Sequence, residues 1–167
     1  MKSTHFEIRK IRPSDNPALT SIIQTTMTEF KASGEGFSIH DAEVMDMHEA
    51  YDQKQHAYFV ICNGENIFGG AGIAPLTGAS PQIAELRKMY FLPAIRGLGL
   101  GQKIMEHCLT EAIHLGFTQC YLETLKSMKG AEQLYLRNGF RPIAAPLGAT
   151  GHFSCDSFYL KDLFPSN

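Results

Sequence analysis

Neither sign of charge dominates this 167-residue chain: 15 lysines and arginines face 17 aspartates and glutamates, for a formal net charge of −2. Without a basic field, nothing draws nucleic acid or an anionic membrane surface, and any anion must be held by local geometry. Long hydrophobic runs are missing as well. Nowhere do roughly 18 apolar residues follow one another, so the sequence offers no candidate membrane span. The opening "MKSTHFEIRKIRPSDN" lacks the apolar core of a signal peptide, and cytoplasm is the expected location. Cysteine is sparse. Cys62, Cys108, Cys120 and Cys155 show no Cys-x-x-Cys spacing and no secreted-scaffold density, which predicts free thiols in a reducing compartment. There is no internal repeat and no linker, so residues 1–167 are expected to form a single domain. With 44% hydrophobic and 19% charged residues, the chain is expected to bury a globular core.

The pattern along the chain alternates between strand and helix periods. "FEIRKIR" (6–12) reads as a strand ended by Pro13, after which Ser14 is placed to cap a helix. Leu19, Ile22, Ile23, Met27 and Phe30 recur at helical steps until "KASGEGFS" interrupts them. A second helix is expected after Asp41, covering Val44, Met45 and His48, and the glycine-containing segment between the two helices is either a connection or a substrate lid. "AYFVICNGENIFGGAGIAPL" (57–76) predicts a hairpin turning at "NGEN", and "IAELRKMYFL" (83–92) a further strand. A helix stopped by Gly116 follows, then strand "TQCYLETL" (118–125), a helix stopped by Gly139, and a last strand at "HFSCDSFYL" (152–160). The order β-α-α-β-β-β-α-β-α-β predicts a mixed α/β class.

"PAIRGLGLGQKIMEHCL" (93–109) crowds three glycines into five positions ahead of a helix. It is not a dinucleotide fingerprint: counted from Gly97 the sixth position is Gln102, and counted from Gly99 it is Ile104, where glycine is required. It is not a triphosphate loop either, because Gly101 is followed by Gln102, Lys103 and Ile104 rather than Lys-Ser/Thr. What remains is Arg96-x-x-Gly99-x-Gly101 opening a helix. First-turn amides lack intrahelical partners and the helix dipole favours negative charge, so such a loop is either a ligand-free turn or a pyrophosphate cradle.

Arg96, Gly99 and Gly101 match motif A of the GNAT (GCN5-related N-acetyltransferase) superfamily, Arg/Gln-x-x-Gly-x-Gly/Ala. "ELRKMYFLPAIRG" resembles the strand that precedes that motif, and "AEQLYLRNGF" (131–140) resembles motif B. The resemblance covers residues 57–143 in detail. It implies a GNAT fold: a mixed central sheet with helices on both faces and strands four and five splayed around the cofactor. It also implies acetyl-CoA as co-substrate and transfer of the acetyl group to the primary amine of a small-molecule or peptide acceptor, by a monomer or homodimer. A non-catalytic CoA-binding or protein-interaction module of the same fold is the alternative. By the resemblance, Met89, Tyr90 and Phe91 would pair with the pantetheine arm like an added strand. The amides from Arg96 to Gln102, those of Gly97, Leu98, Gly99, Leu100 and Gly101 included, would hold the pyrophosphate. One position departs from the family: Met128 stands where many members carry an asparagine that contacts the pantetheine.

Acetyl transfer needs a neutral amine, yet an alkylamine is mostly protonated near neutral pH, its pKa being about 10.4. A carboxylate can take that proton. Glu85, eleven residues before Arg96, occupies the offset of the general base in histone-type members, and is equally readable as an ammonium anchor or a partner of Arg87 or Lys88. Glu123 is the reserve candidate. Tyr135 matches the motif B tyrosine that protonates the leaving thiolate in many members, and it also fits a buried helix face with Ala131 and Leu134. His152, Cys155 and Asp156 lie close together, but on a strand they would point to alternating faces, so no metal site is expected. Either His152 or Asp156 lines the acceptor pocket, or the segment is only core and turn.

Overall fold

The computed structural model describes residues 5–164. Strand β1 (Glu7–Lys10) runs antiparallel to β2 (Ala57–Asn63), which turns at Gly64 and Glu65 into β3 (Asn66–Pro75), and β3 pairs antiparallel with β4 (Ile83–Phe91). The sheet continues through β5 (Gln119–Thr124) and β7 (Ser157–Asp162) to a short edge strand β6 (Arg141–Ile143), in the order β1-β2-β3-β4-β5-β7-β6. Helices α1 (Asn16–Glu29) and α2 (Met47–Tyr51) cover one face, and α3 (Leu100–His114) the other. Helix α4 (Lys129–Arg137) follows β5 and adds Leu134 and Tyr135 to the core on the α3 side. The expected α/β class with helices on both faces is therefore the observed one.

The helices form because their apolar stripes have a sheet to cover. Leu19, Ile22, Ile23 and Met27 of α1 are buried with Tyr58 and Val60 of β2, whereas Ile104, Met105 and Cys108 of α3 are buried with Phe59 and Ile61 from the opposite face. Alternation along β2 decides which residue goes to which core. Asp15, not Ser14, organises the entry to α1: its carboxylate accepts from the Arg12 amide at 2.7 Å and from both terminal nitrogens of Arg9 at 2.8 and 3.0 Å.

Three sequence expectations are corrected. The helix expected after Asp41 is a 3₁₀ turn over Ala42–Met45 and then α2, broken at Asp46, whose side chain accepts from the Glu49 amide and caps the second piece. Strand β6 was not foreseen, because its three residues include Pro142, which is tolerated only at an edge. The last strand begins at Ser157, so His152, Cys155 and Asp156 lie in the preceding loop rather than on alternating faces of a strand.

Two features of β4 open the sheet. Its parallel pairing with β5 involves only Ile83, Ala84 and Glu85 opposite Gln119, Cys120 and Tyr121, after which the strands part. In addition, Gly70 faces Tyr90 while Gly72 faces Arg87, so Lys88 and Met89 together stand opposite Ala71 alone, a β-bulge in which Lys88 adopts φ 50°. Tyr58 crosses β3 to donate its hydroxyl to the Lys88 carbonyl at 2.7 Å. It has room to do so only because a Cβ at Gly70 or Gly72 would lie 2.5 Å from its ring. Gly72→Ala is therefore expected to destabilise the fold by about 1–3 kcal/mol through overpacking, read as a lowered urea midpoint at unchanged slope.

Candidate functional site

Where β4 leaves β5, a cleft of about 370 Å³ opens between the far half of β4, the glycine loop and α4. Met89, Tyr90 and Phe91 line it from the strand, and Arg96, Gly97, Gly99, Gly101 and Gln102 from the loop and the first turn of α3. The other two residues of the expected loop set point elsewhere: Leu98 is 57% exposed, and Leu100 is buried in the core. Gly97 and Gly99 both have φ 76°, a left-handed conformation that favours glycine, and a Cβ on either would meet nothing within 4 Å. The loop thus presents bare backbone to open space, with α3 starting directly behind it.

Side chains around the loop brace it. Arg96 donates to both carboxylate oxygens of Glu29 at 2.6 and 2.7 Å and to the Phe91 carbonyl at 3.0 Å, and lies 5.6 Å from the centre of the Phe30 ring. It fastens the end of α1 over the cleft. Gln102 exchanges hydrogen bonds of 3.0 and 2.9 Å with Asn138, joining the first turn of α3 to the end of α4.

Beyond Met89, Met128 and Tyr135 the cleft meets a second, tighter cavity of about 80 Å³, which Glu85, Glu123, His152 and Cys155 also line. A third of about 250 Å³ shares Glu85, Arg87 and His152 with it and is bordered by Asp41, Glu43 and Thr150. Glu85 and Tyr135 therefore face one space. Glu85 is 4% exposed, and burial raises its pKa despite the Arg87 Nε that donates to Oε2 at 2.7 Å. Glu123 goes the other way. Burial would raise it, but His152 at 3.6 Å and hydrogen bonds of 2.8 Å from Thr150 and Tyr121 outweigh burial and lower its pKa. Burial pushes the Tyr135 phenol up and the Cys155 thiol up to about 12, so both stay protonated near neutral pH.

A group of charges that the sequence did not single out completes the wall. The ammonium of Lys88, side chain 1% exposed, lies 2.6 Å from Asp41 and 2.9 Å from Glu43. Burial opposes its charge, but the two carboxylates prevail and raise its pKa. The bulge, which turns Lys88 inward, brings its ammonium to both acids. Of the two residues expected to line the acceptor pocket, His152 lines the cavities that Glu85 faces. Asp156 instead accepts from the Lys126 amide at 2.8 Å at the surface. Among the described residues, no group of three or more His, Cys, Asp or Glu side chains is placed to hold a metal ion.

The model of the Acetyltransferase (GNAT) family matches residues 19–140, and the Escherichia coli K12 protein named uncharacterized N-acetyltransferase YjgM is 40% identical over 157 residues, 93% of this chain and 94% of the relative. This chain belongs to the GNAT acetyltransferase family. Its fold is shared with an acetyltransferase of that family from Staphylococcus aureus Mu50, at a TM-score of 0.85 and 21% identity over 96% of this chain and 100% of the other. It is also shared with yncA of Salmonella typhimurium, solved with acetyl-CoA, at a TM-score of 0.76 and 18% identity over 98% and 96%. The GNAT match takes in the cleft, the glycine loop, Glu85 and Tyr135, but stops short of His152. No helix among the described residues of this GNAT chain is long and apolar enough to cross a membrane.

Replacing Lys88 by Met leaves Asp41 to His152 and Glu43 to Tyr51 and Arg87. The expected loss is about 1.5–3 kcal/mol, the range for a hydrogen bond to a charged group, measured by urea denaturation.

Proposed function

We propose that this protein is an acetyl-CoA-dependent N-acetyltransferase that passes the acetyl group to the primary amine of a small-molecule or peptide acceptor by direct attack in a ternary complex. The observation that carries the reading is the meeting of two unlike spaces. A cleft with bare backbone donors at a helix start joins, beside Tyr135, a cavity walled by a carboxylate of raised pKa.

The residues of the cleft fit the co-substrate. Backbone amides from Arg96 to Gln102 suit its pyrophosphate, because α3 leaves its first amides without intrahelical partners and Gly97 and Gly99 place no side chain in the way. The free edge of β4 at Met89, Tyr90 and Phe91 suits an extended amide arm, since past Glu85 that edge has no partner on β5. Met128 lines the same cleft with a thioether that cannot supply an asparagine's amide, so the strand edge has to orient the arm by itself. Bound there, acetyl-CoA supplies a thioester whose carbonyl carbon is open to an amine.

Glu85 takes the proton of the acceptor ammonium. Its raised pKa makes it a better base than an exposed glutamate, and Arg87 keeps it oriented. Glu123, held ionised, offers the negative charge that attracts the ammonium into the cavity. Tyr135 keeps its proton at working pH and lies between the two spaces, where it can donate to the departing sulfur.

Thiol release from acetyl-CoA across an amine library tests the function. With the amine that gives the highest rate, Glu85→Gln and Tyr135→Phe are each expected to lower kcat by about 10²-fold or more, the scale of a lost acid or base. Because only ionised Glu85 accepts a proton, the acid limb of the wild-type rate should lie above the ordinary glutamate range and vanish in Glu85→Gln. Unchanged rates in both variants would overturn the site. Stabilisation by acetyl-CoA without thiol release from any amine would identify a binding module instead.

A further inference from the structure

His152 lies on the loop between β6 and β7, which the family match does not reach, and its ring is held between two carboxylates from distant parts of the chain. Nε2 lies 3.0 and 2.9 Å from the two oxygens of Asp41, which belongs to the α1–α2 connection, and Nδ1 lies 3.6 Å from Oε2 of Glu123 on β5. Nε2 is thus hydrogen-bonded to one carboxylate and Nδ1 faces a second at ion-pair distance, an arrangement that favours the imidazolium, which carries a proton on each nitrogen. The same two loops touch at three further points. The Ser154 hydroxyl donates to the Glu35 carbonyl at 2.7 Å, the Ser154 amide donates to the Gly36 carbonyl at 3.2 Å, and the Phe153 ring lies against Gly36, where a Cβ would come within 2.5 Å. Together they wall the cavities that hold Glu85.

We propose that His152, as an imidazolium shared by Asp41 and Glu123, is a positioning residue that clasps the 34–43 segment to the 148–155 loop and to β5, and so sets the shape of the acceptor cavity. Calling the cavity an acceptor site rests on the acetyltransferase reading; the clasp itself does not. His152 is not a base here. Burial disfavours its charge, but Asp41 and Glu123 outweigh burial and raise its pKa to about 9 against the opposing Lys88. Glu85, Arg87 and Glu43 line the same cavity as the ring, which stabilises Glu85 as a carboxylate. The sign follows: the clasp is complete below the ordinary histidine pKa and is lost as pH rises through about 9.

The test reads the clasp without an acceptor. In the full-length protein, NMR titration of the His152 ring should give a midpoint near 9, moving toward the ordinary histidine range in Asp41→Asn. Hydrogen-exchange protection of residues 34–43 and 148–155 should fall by about tenfold between neutral pH and about pH 10, while α3 stays protected. In His152→Gln the low protection should already be present at neutral pH, and in His152→Lys the drop should shift to higher pH, which loss of packing alone would not produce. A ring midpoint near 6.5, the ordinary histidine value, or protection unaffected by pH, would overturn the proposal. Should His152→Gln fail to fold, the wild-type and Asp41→Asn titrations still decide. Calorimetry with acetyl-CoA separates the two readings. Absent binding by the wild type would count against the acetyltransferase reading and leave the clasp standing, whereas the clasp predicts equal affinity in wild type and His152→Gln. For the best library amine, the variant should raise KM by about tenfold with kcat nearly preserved.

Discussion

The parting of β4 from β5 after Glu85 is the constraint on which the rest depends. A continuous ladder would pair the backbone of Met89, Tyr90 and Phe91 and leave no cleft. The bulge at Lys88 turns the strand, and a non-glycine residue holds φ 50° there because its backbone and side chain are both fixed: Tyr58 holds the carbonyl, and Asp41 and Glu43 hold the ammonium. Gly70 and Gly72 are part of the same device, since they clear the path of Tyr58. One local irregularity thus exposes a strand edge on one side and anchors the wall of the cavity that holds Glu85 on the other.

That anchoring also separates the carboxylates. Glu85 is buried, and burial outweighs Arg87 and the more distant His152, so its pKa rises; Glu123 is hydrogen-bonded on both oxygens and faces a cationic ring, and its pKa falls. Two chemically similar side chains near one space are thereby suited to different tasks, one to exchange a proton and one to keep its charge. Arg87 and Lys88 are adjacent in sequence, yet each is committed to carboxylates of a different group: Arg87 chiefly to Glu85, Lys88 to Asp41 and Glu43.

Much of this was legible in the residues because it rests on local rules. Helical spacing located α1 and α3, "NGEN" located the hairpin turn, and the glycine spacing before α3 excluded two phosphate loops and left an anion-ready turn, whose Gly97 and Gly99 are indeed left-handed. The α2 region was less legible. Val44 and Met45 suggested a continuous helix, but Asp46 satisfies an amide of a new turn and Met45 ends 68% exposed. The last strand was placed too early because "HFSC" alternates like a strand, whereas its backbone follows a loop closed over Gly36 and Thr124.

The sequence by itself determined the class, the sheet-forming segments, the glycine loop and the identity of the side chains available for chemistry, because periodicity, turn propensity and residue type act over a few positions. Only the tertiary structure decided where β4 leaves its neighbour, that Lys88 points inward, and that Asp41, Glu123 and His152 converge. Those outcomes depend on burial and on pairings between residues up to 111 positions apart, and the free energy of a charge is set by what the fold places around it rather than by its neighbours in the chain.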